Sequence, residues 1–184
     1  MHEIFLPDAK PALEWVNNRV LQKVSPQRRH ALAQGQFLVA LAGWIREHRN
    51  GMVGAEWRFQ IQPPGEISRT LVPDVAFLSY HRMPIEELET TEVARIAPDA
   101  VALVLSPGDR RRDIEEKVRV YLAAGTDVVF IVDPDLKLVS VRDTQGVRVL
   151  REDDEVQHAS LPGFSMPVRS LFELLRPRPK ATPV

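Results

Sequence analysis

The chain has 184 residues and a formal net charge of −1, with 44% hydrophobic and 27% charged residues. This composition is typical of a soluble globular protein, and the length fits a single domain over residues 1–184. The near-zero charge excludes a global basic field that would attract nucleic acid, and the lack of cysteine excludes disulfides, thiolate catalysis and cysteine-ligated zinc. No apolar run approaches the roughly 18 residues of a membrane span and no signal-peptide pattern is present, so we expect no membrane association and a cytoplasmic location.

Turn residues and hydrophobic periodicity divide the first half of the chain into a hairpin, a long helix and strands. Asn17 and Asn18 predict a two-residue turn, because asparagine tolerates a positive φ. Ser25 and Pro26 are typical of the N-cap and first position of a helix, which we expect to run through about residue 49 and to stop at Gly51. The predicted elements are a hairpin over Leu13–Val16 and residues 19–24, the long helix, strands over residues 55–61 and 70–78, and a short helix over Ile85–Leu88.

The centre of the chain, residues 99–134, predicts a strand, a helix and a second strand. The apolar runs 100–105 and 128–132 are typical of fully buried strands, and we expect Asp109 to cap the helix between them and Gly125 to end it. Strands joined by a helical crossover are parallel, and open sheets of this kind bind ligands beyond the carboxyl ends of their strands, here near residues 103–106. The remaining predicted elements are a hairpin over residues 136–142 and 147–151, a helix over 168–175, and a frayed tail over 176–184.

Two carboxylates lie in predicted β segments, where burial without a partner is unfavourable. Asp74 begins an apolar run, so it either binds a cation or hydrogen-bond donors, or caps a turn at the edge of the strand. Glu56 lies between apolar residues of the preceding β segment. It either faces the same cleft or belongs to a solvated strand face, and the residue pattern leaves both alternatives open.

Basic residues cluster on the predicted central helix. Lys117 and Tyr121 are spaced i, i+4 and share one helix face, where Lys117 either extends along apolar surface or stabilises a phosphoryl oxygen or orients a water. Arg110, Arg111 and Arg112 oppose the helix dipole, which favours either phosphate contact or a solvated charge cluster. The sequence has no P-loop, no dinucleotide-binding glycine pattern and no nucleophile elbow, and its five histidines have no mutual metal-binding spacing.

Short motifs distributed over nearly the whole chain follow the order and spacing of one known family. They are Leu13-Glu14-Trp15-Val16, Lys23-Val24-Ser25-Pro26, His30, Gly51-Met52-Val53-Gly54-Ala55-Glu56-Trp57-Arg58-Phe59, Pro73-Asp74-Val75-Ala76-Phe77, Leu103-Val104-Leu105-Ser106-Pro107, Lys117, Tyr121, Gly125 and Val132-Asp133-Pro134. On these motifs the chain resembles the Uma family of putative restriction endonucleases, within the PD-(D/E)XK nuclease superfamily.

This resemblance implies the fold class α/β (α+β), with a restriction-endonuclease-like core in which a mixed β-sheet is flanked by helices, and with an N-terminal hairpin and long helix. It also implies an endonuclease, a hydrolase whose strand Asp and neighbouring Glu bind Mg²⁺, while a Lys from the following helix helps to activate water against DNA phosphodiester bonds. Asp74 matches the Asp and Lys117 matches the Lys. Tyr121 and His30 are expected to support the site, and a homodimer is among the expected assemblies.

One position departs from the family pattern. The Glu of the family's Glu-Val-Leu-Ser-Pro motif is replaced by Leu103, which cannot bind Mg²⁺. Asp99 shares its strand face, but four residues of strand span about 13 Å, so Asp99 cannot substitute. We therefore expect Glu56 to compensate as a catalytic residue and metal ligand beside Asp74. The alternative is a catalytically inactive nuclease fold that binds nucleic acid or protein, or that pairs as a subunit with an active homologue.

Overall fold

The structure is a computed structural model that describes residues 3–23 and 27–175. The helices are α1 (Arg28–His48), α2 (Ile85–Leu88), α3 (Arg111–Ala123) and α4 (Val168–Phe172), the last followed by a 3-10 turn at Glu173–Leu175. The strands are β1 (Glu3–Ile4), β2 (Leu13–Val16), β3 (Arg19–Gln22), β4 (Gly51–Ala55), β5 (Phe59–Ile61), β6 (Ser68–Leu71), β7 (Val75–Ser79), β8 (Ala100–Val104), β9 (Val128–Asp133), β10 (Leu138–Asp143), β11 (Gly146–Leu150), β12 (Glu155–Val156) and β13 (Met166–Pro167). Among the described residues, no helix is both long enough and apolar enough to cross a membrane.

A six-stranded mixed sheet forms the centre of the molecule, in the order β11-β10-β9-β8-β7-β4. Strands β8 and β9 are parallel and are joined by α3, whereas the other neighbouring pairs are antiparallel. A smaller sheet has the order β1-β6-β5, and β2 and β3 form a separate hairpin. The predicted crossover unit and the predicted fold class, α/β (α+β) with a mixed sheet flanked by helices, are confirmed.

Both faces of the central sheet are covered, because successive residues of a strand point to opposite sides. On one face, Val75 and Phe77 belong to a core that includes the buried residues of α1 and α4. On the other face, Ala76 and Leu78 belong to a core that includes α3 and the small sheet. Leu103 lies on the α3 side, so the family's acidic position faces the crossover helix.

Most predicted elements lie where the sequence placed them. Asn17 and Asn18 adopt φ values of 50° and 57° in the turn between β2 and β3. Gly125 follows the end of α3 with a φ of 103°, which is the left-handed conformation expected of a glycine at that position. The helix α2, the hairpin of β10 and β11, and α4 are also confirmed. Ser25 and Pro26, predicted to begin the long helix, and the predicted frayed tail lie outside the described residues.

The predicted end of the long helix near residue 49 is confirmed, but the residues predicted to stop α1 and to cap α3 are wrong. Helix α1 ends at His48, and its C-cap Arg49 adopts a left-handed φ of 49°. Gly51 instead opens β4, where a Cβ would overlap a carbonyl oxygen of the neighbouring strand, so close strand approach rather than helix termination requires glycine. Asp109 does not cap α3, because the N-cap is Arg110 and the Asp109 Oδ2 accepts a hydrogen bond from the backbone N–H of Ser106 at 2.8 Å.

Both strands predicted between residues 55 and 78 are divided in the structure. A φ of 50° at Glu56 ends β4, and the chain then enters β5 in the small sheet. The second segment divides into β6 and β7 around Pro73, which has no N–H for a strand ladder. Asp74 follows Pro73, where the chain passes from the small sheet to the central sheet, and this junction forms part of the cleft described next.

Candidate active site

A cleft of about 170 Å³ opens at the carboxyl end of β8. Its walls come from the β2–β3 hairpin, the segment that enters β7, and the start of α3. Its ionisable lining residues include Glu14, Lys23, His30, Asp74 and Lys117. Asp74 and Lys117 therefore line one cleft at the end of the central strands, where the crossover topology led us to expect a ligand site.

The Asp74 carboxylate is buried, with 7% of its side chain exposed, and both of its oxygens have partners. Oδ2 accepts a hydrogen bond from the backbone N–H of Val104 at 2.7 Å. Oδ1 accepts one from Lys23 Nζ at 2.7 Å and lies 3.3 Å from His30 Nε2. Burial alone would raise the pKa of Asp74, but the hydrogen bonds and charges of His30 and Lys23 hold that pKa well below its usual range, so the carboxyl is ionised at neutral pH.

The backbone of Asp74 is also fully bonded. Its N–H donates to the carbonyl of Ala102 at 3.1 Å, across the first step of the β7–β8 ladder. Its carbonyl accepts hydrogen bonds from the N–H of Glu56 at 3.2 Å and from Gln34 Nε2 at 2.9 Å. Asp74 thus joins β4, β8 and α1 through its own main chain.

Lys23 is the closest cation to Asp74 and was not predicted from the sequence. Its Nζ also donates to the carbonyl of Val72 at 3.2 Å and lies 3.9 Å from Glu56 Oε1. Burial alone would lower the pKa of Lys23, but Asp74, Glu14 and Glu56 together raise it above the usual value. Lys23 is therefore a partly buried ammonium, with 12% of its side chain exposed, that lies among oxygen atoms.

Glu14 is a further buried carboxylate of the cleft, in addition to Asp74 and Asp113, and was also missed as a site residue. Its side chain is 0% exposed, with Oε1 accepting from the N–H of Val72 at 2.9 Å and Oε2 lying 2.5 Å from Lys117 Nζ. The sequence carried one signal, since Glu14 shares strand parity with the buried Val16 in β2. The Lys117 ammonium lines the cleft and pairs with a carboxylate, and its role at a phosphoryl oxygen or a water stays a prediction.

Leu103 lines the same cleft and is 3% exposed, within the core on the α3 side. Its neighbour Val104 donates the backbone hydrogen bond to Asp74, so the apolar side chain lies next to the carboxylate along β8. Asp99 lies before the other end of this strand, where it accepts hydrogen bonds from Ser79 and Arg82. Asp99 therefore lies too far along the strand to replace the acidic residue that the family has at position 103, as its spacing in the sequence predicts.

Glu56 lies at the edge of this arrangement. Its backbone contacts Asp74, but its side chain is 47% exposed and is not among the residues that line the cleft. Among the described residues its carboxylate forms an ion pair with Lys23 alone, at 3.9 Å. The predicted role of Glu56 as a compensating metal ligand stays a prediction, whereas the Glu14 carboxylate does line the cleft.

Both residues that were predicted to support the site, Tyr121 and His30, are buried. Tyr121 is completely buried, and burial together with the charges of Glu14 and Asp74 raises its pKa well above the usual value. Its hydroxyl has no hydrogen-bond partner among the described residues. His30 directs Nε2 to Asp74, and its Nδ1 likewise has no partner in the part of the chain that the structure describes.

The arginines at the start of α3 are exposed, and Arg110 lines the cleft. Arg111 lies 4.0 Å from Glu115, and Arg112 lies 3.8 Å from Asp113. Within residues 3–23 and 27–175, Arg110 has no ion pair, so it is the arginine most available for a phosphate.

Asp113 attaches the hairpin to this end of the helix. Its Oδ1 accepts a hydrogen bond from Asn17 Nδ2 at 2.7 Å, and its Oδ2 accepts one from Arg19 at 2.6 Å. The hairpin that carries Glu14 is thereby fixed against the helix that carries Lys117.

Comparison with known proteins agrees with this architecture. The family model Uma2, described as putative restriction endonuclease, matches residues 3–169. The chain belongs to the Uma2 family. It is also similar to a solved structure described as a putative nuclease belonging to DUF820 from Anabaena variabilis ATCC 29413, with 26% sequence identity, a TM-score of 0.82, and coverage of 93% of this chain and 95% of that chain. A comparison with curated proteins gives no match.

The restriction-endonuclease-like core implied by the family resemblance is thus confirmed for this Uma2 member. The family implies a divalent cation, and the donor chemistry of the cleft fits one. In the described part of the chain no group of three or more acidic or histidine side chains is arranged to bind a metal ion. Mg²⁺, however, commonly binds through one or two carboxylates, with water and substrate phosphate as its other ligands. Asp74 and Glu14 are two such carboxylates in one cleft.

Proposed function

We propose that this Uma2 member is a metal-dependent endonuclease that hydrolyses DNA phosphodiester bonds at the cleft. The observation that supports this proposal most directly is that Asp74, Glu14 and Lys117 line the same cleft. Asp74 and Glu14 would bind the divalent cation, which is Mg²⁺ by family resemblance. When bound, that cation supplies Lewis-acid polarisation of the scissile phosphate.

The remaining tasks fall to cationic side chains of the chain itself. Lys117 lies beside Glu14 and stabilises negative charge that develops on a phosphoryl oxygen, because a largely buried ammonium held in place is more effective than one in free solution. Arg110 contacts a neighbouring phosphate and so positions the DNA backbone. His30 keeps Asp74 ionised through its contact with Oδ1.

Nicking of supercoiled plasmid in the presence of Mg²⁺ or Mn²⁺ tests this function. We expect the wild type to nick the plasmid slowly, and Asp74→Asn and Glu14→Gln to abolish nicking. Glu56→Gln is the matched control, since it removes the charge of an acidic residue next to the cleft that does not line it. Melting temperatures of all variants show whether a loss of nicking follows from a loss of fold.

Two outcomes would change the assignment. If Glu56→Gln abolishes nicking and Glu14→Gln preserves it, the second carboxylate is Glu56, as the sequence suggested. If a folded wild type does not nick DNA with either metal, hydrolysis is not its function.

A second candidate function is binding of nucleic acid or protein without hydrolysis. It is favoured by Leu103 at the family's acidic position and by the two lysines that already pair with Asp74 and Glu14. In that case Asp74→Asn leaves DNA affinity unchanged and no variant nicks DNA. A homodimer, an active homologue as partner and a cytoplasmic location stay predictions, and sedimentation of the purified protein tests the first of these.

A further inference from the structure

Lys23, a partly buried cation, has no task in the proposed reaction. Lys23 Nζ lies 2.7 Å from Asp74 Oδ1 and 3.2 Å from the carbonyl oxygen of Val72, with Glu56 Oε1 at 3.9 Å. A carboxylate, a carbonyl and a second carboxylate are the oxygen donors that a hard divalent cation also uses. The ammonium therefore occupies an oxygen-lined position of the kind that such a cation would take.

The balance of charge in the cleft also indicates that the Lys23 ammonium and a divalent cation compete. Lys23 and Lys117 balance the negative charges of Asp74 and Glu14, and Arg19 balances that of Asp113, which also lines the cleft. With Leu103 in place of an acid, a divalent cation would add positive charge to a buried site that is already neutral. Such a charge is unfavourable in a low-dielectric environment unless a cation leaves or an anion enters.

We propose that Lys23 is a resident counter-cation that competes with a divalent metal ion for Asp74. The proposal rests on the proposed metal site and adds a residue that sets its affinity. In the free protein the Lys23 ammonium blocks metal binding at Asp74 Oδ1. A bound phosphodiester supplies the negative charge that lets the metal ion and Lys23 occupy the cleft together.

Isothermal titration calorimetry with MnCl₂ and no DNA tests the competition. We expect Lys23→Gln to bind Mn²⁺ with a Kd about tenfold or more below that of the wild type, since like charges about 4 Å apart repel strongly inside proteins. Lys23→Arg keeps the charge and should resemble the wild type. Lys137→Gln is the matched control, because it neutralises a lysine that is 44% exposed and paired with Glu152 rather than with the cleft.

A second readout does not depend on the stability of the variant without metal. Mn²⁺ that binds only the folded protein raises the melting temperature of Lys23→Gln, and adding Asp74→Asn to that variant should remove the increase. Equal Mn²⁺ affinity in the wild type and Lys23→Gln would overturn the proposal, as would metal binding that survives Asp74→Asn. These two outcomes can be told apart from a failure of the proposed endonuclease function, in which the protein binds the metal ion but does not nick plasmid.

Discussion

At residue 103 a leucine contacts a cleft whose other walls carry carboxylates and lysines. Leu103→Glu would restore the family's acidic group beside Asp74 and Lys117. An unpaired buried charge destabilises the fold by several kcal/mol, so we expect a lower melting temperature in chelator. Added Mg²⁺ should reverse that loss by binding the folded state, and plasmid nicking should exceed that of the wild type.

Leu103→Gln is the matched control, because it has nearly the same shape as the glutamate variant and no charge. It should show neither metal-dependent stabilisation nor faster nicking. If Leu103→Glu behaves like Leu103→Gln, the leucine does not occupy the position of a lost ligand. Strong nicking by the wild type would show that other residues already supply what this position lacks.

The Glu14–Lys117 pair makes a second prediction at the residue scale. Lys117→Met leaves the fully buried Glu14 carboxylate without its cation, which should lower the free energy of unfolding by about 3–5 kcal/mol. The double variant Glu14→Gln with Lys117→Met should be more stable than Lys117→Met alone, because no buried charge is left unpaired. Urea unfolding of the wild type, both single variants and the double variant measures this coupling.

An exposed ion pair is the control for that cycle. Arg95 and Glu3 are separated by 3.0 Å, with 66% and 37% of their side chains exposed, and their coupling should not exceed about 1 kcal/mol. If the losses of unfolding free energy caused by Glu14→Gln and Lys117→Met simply add in the double variant, the two side chains do not stabilise the fold as a pair.

At the scale of elements, Asp113 links the β2–β3 hairpin to α3. Burial alone would raise the pKa of Asp113, but hydrogen bonds from Asn17 and Arg19 lower that pKa below its usual value of about 3.9. The ionised Asp113 carboxylate therefore stabilises the folded state above about pH 4. This contribution is lost as the pH falls through the lower pKa that Asp113 has in the folded state. The difference in unfolding free energy between wild type and Asp113→Asn should shrink between about pH 5 and about pH 2.

Urea unfolding at a series of pH values measures this difference. Asp135→Asn is the control, since Asp135 and its partner Arg29 are each 59% exposed and should contribute little at any pH. A difference for Asp113→Asn that does not change with pH would show that its hydrogen bonds do not depend on charge.

The elements themselves could be predicted where local pattern and burial agree. The two buried strands and the crossover helix are confirmed because apolar runs and a glycine after the helix carry the information locally. The strand boundaries near Glu56 and Pro73 were missed. Hydrophobicity continues across both positions, while a positive φ and a missing N–H direct the chain into another sheet. Hydrophobic pattern alone does not distinguish one sheet from two.

The candidate site was predictable only in part for a related reason. Asp74 and Lys117 belong to motifs of the central sheet and its crossover, so topology placed them together. Glu14 and Lys23 enter the cleft from the hairpin, through contacts with residues far along the chain. No local spacing encodes such contacts, although the parity of Glu14 with Val16 was a usable signal.

At the scale of the whole molecule, the net charge of −1 requires DNA binding to depend on a local basic surface. Arg110 lines the cleft, Arg111 and Arg112 follow it at the start of α3, and all three are exposed. Replacing all three by glutamine should weaken the binding of duplex DNA. It should also reduce the slope of log binding constant against log salt concentration, by up to about 0.9 for each DNA phosphate that the variant no longer neutralises. Fluorescence anisotropy at several salt concentrations measures this slope.

Arg46→Gln is the control for that experiment. It lies in the last turn of α1, 16 residues after His30 in the same helix, which corresponds to about 24 Å from the cleft end. An unchanged slope in the triple variant would show that DNA binds another face of the molecule.

The complete bonding of Asp74 has a consequence for how this family diverges. Its N–H, its carbonyl and both carboxylate oxygens all have partners, and these join three elements of the fold. Selection for folding alone would therefore retain this aspartate in a descendant that had stopped cleaving DNA. Position 103 has no such constraint, because an apolar residue there packs into the core. Among relatives, the residue at position 103 should distinguish proteins that cleave DNA from proteins that do not, whereas the aspartate at position 74 should be common to both groups.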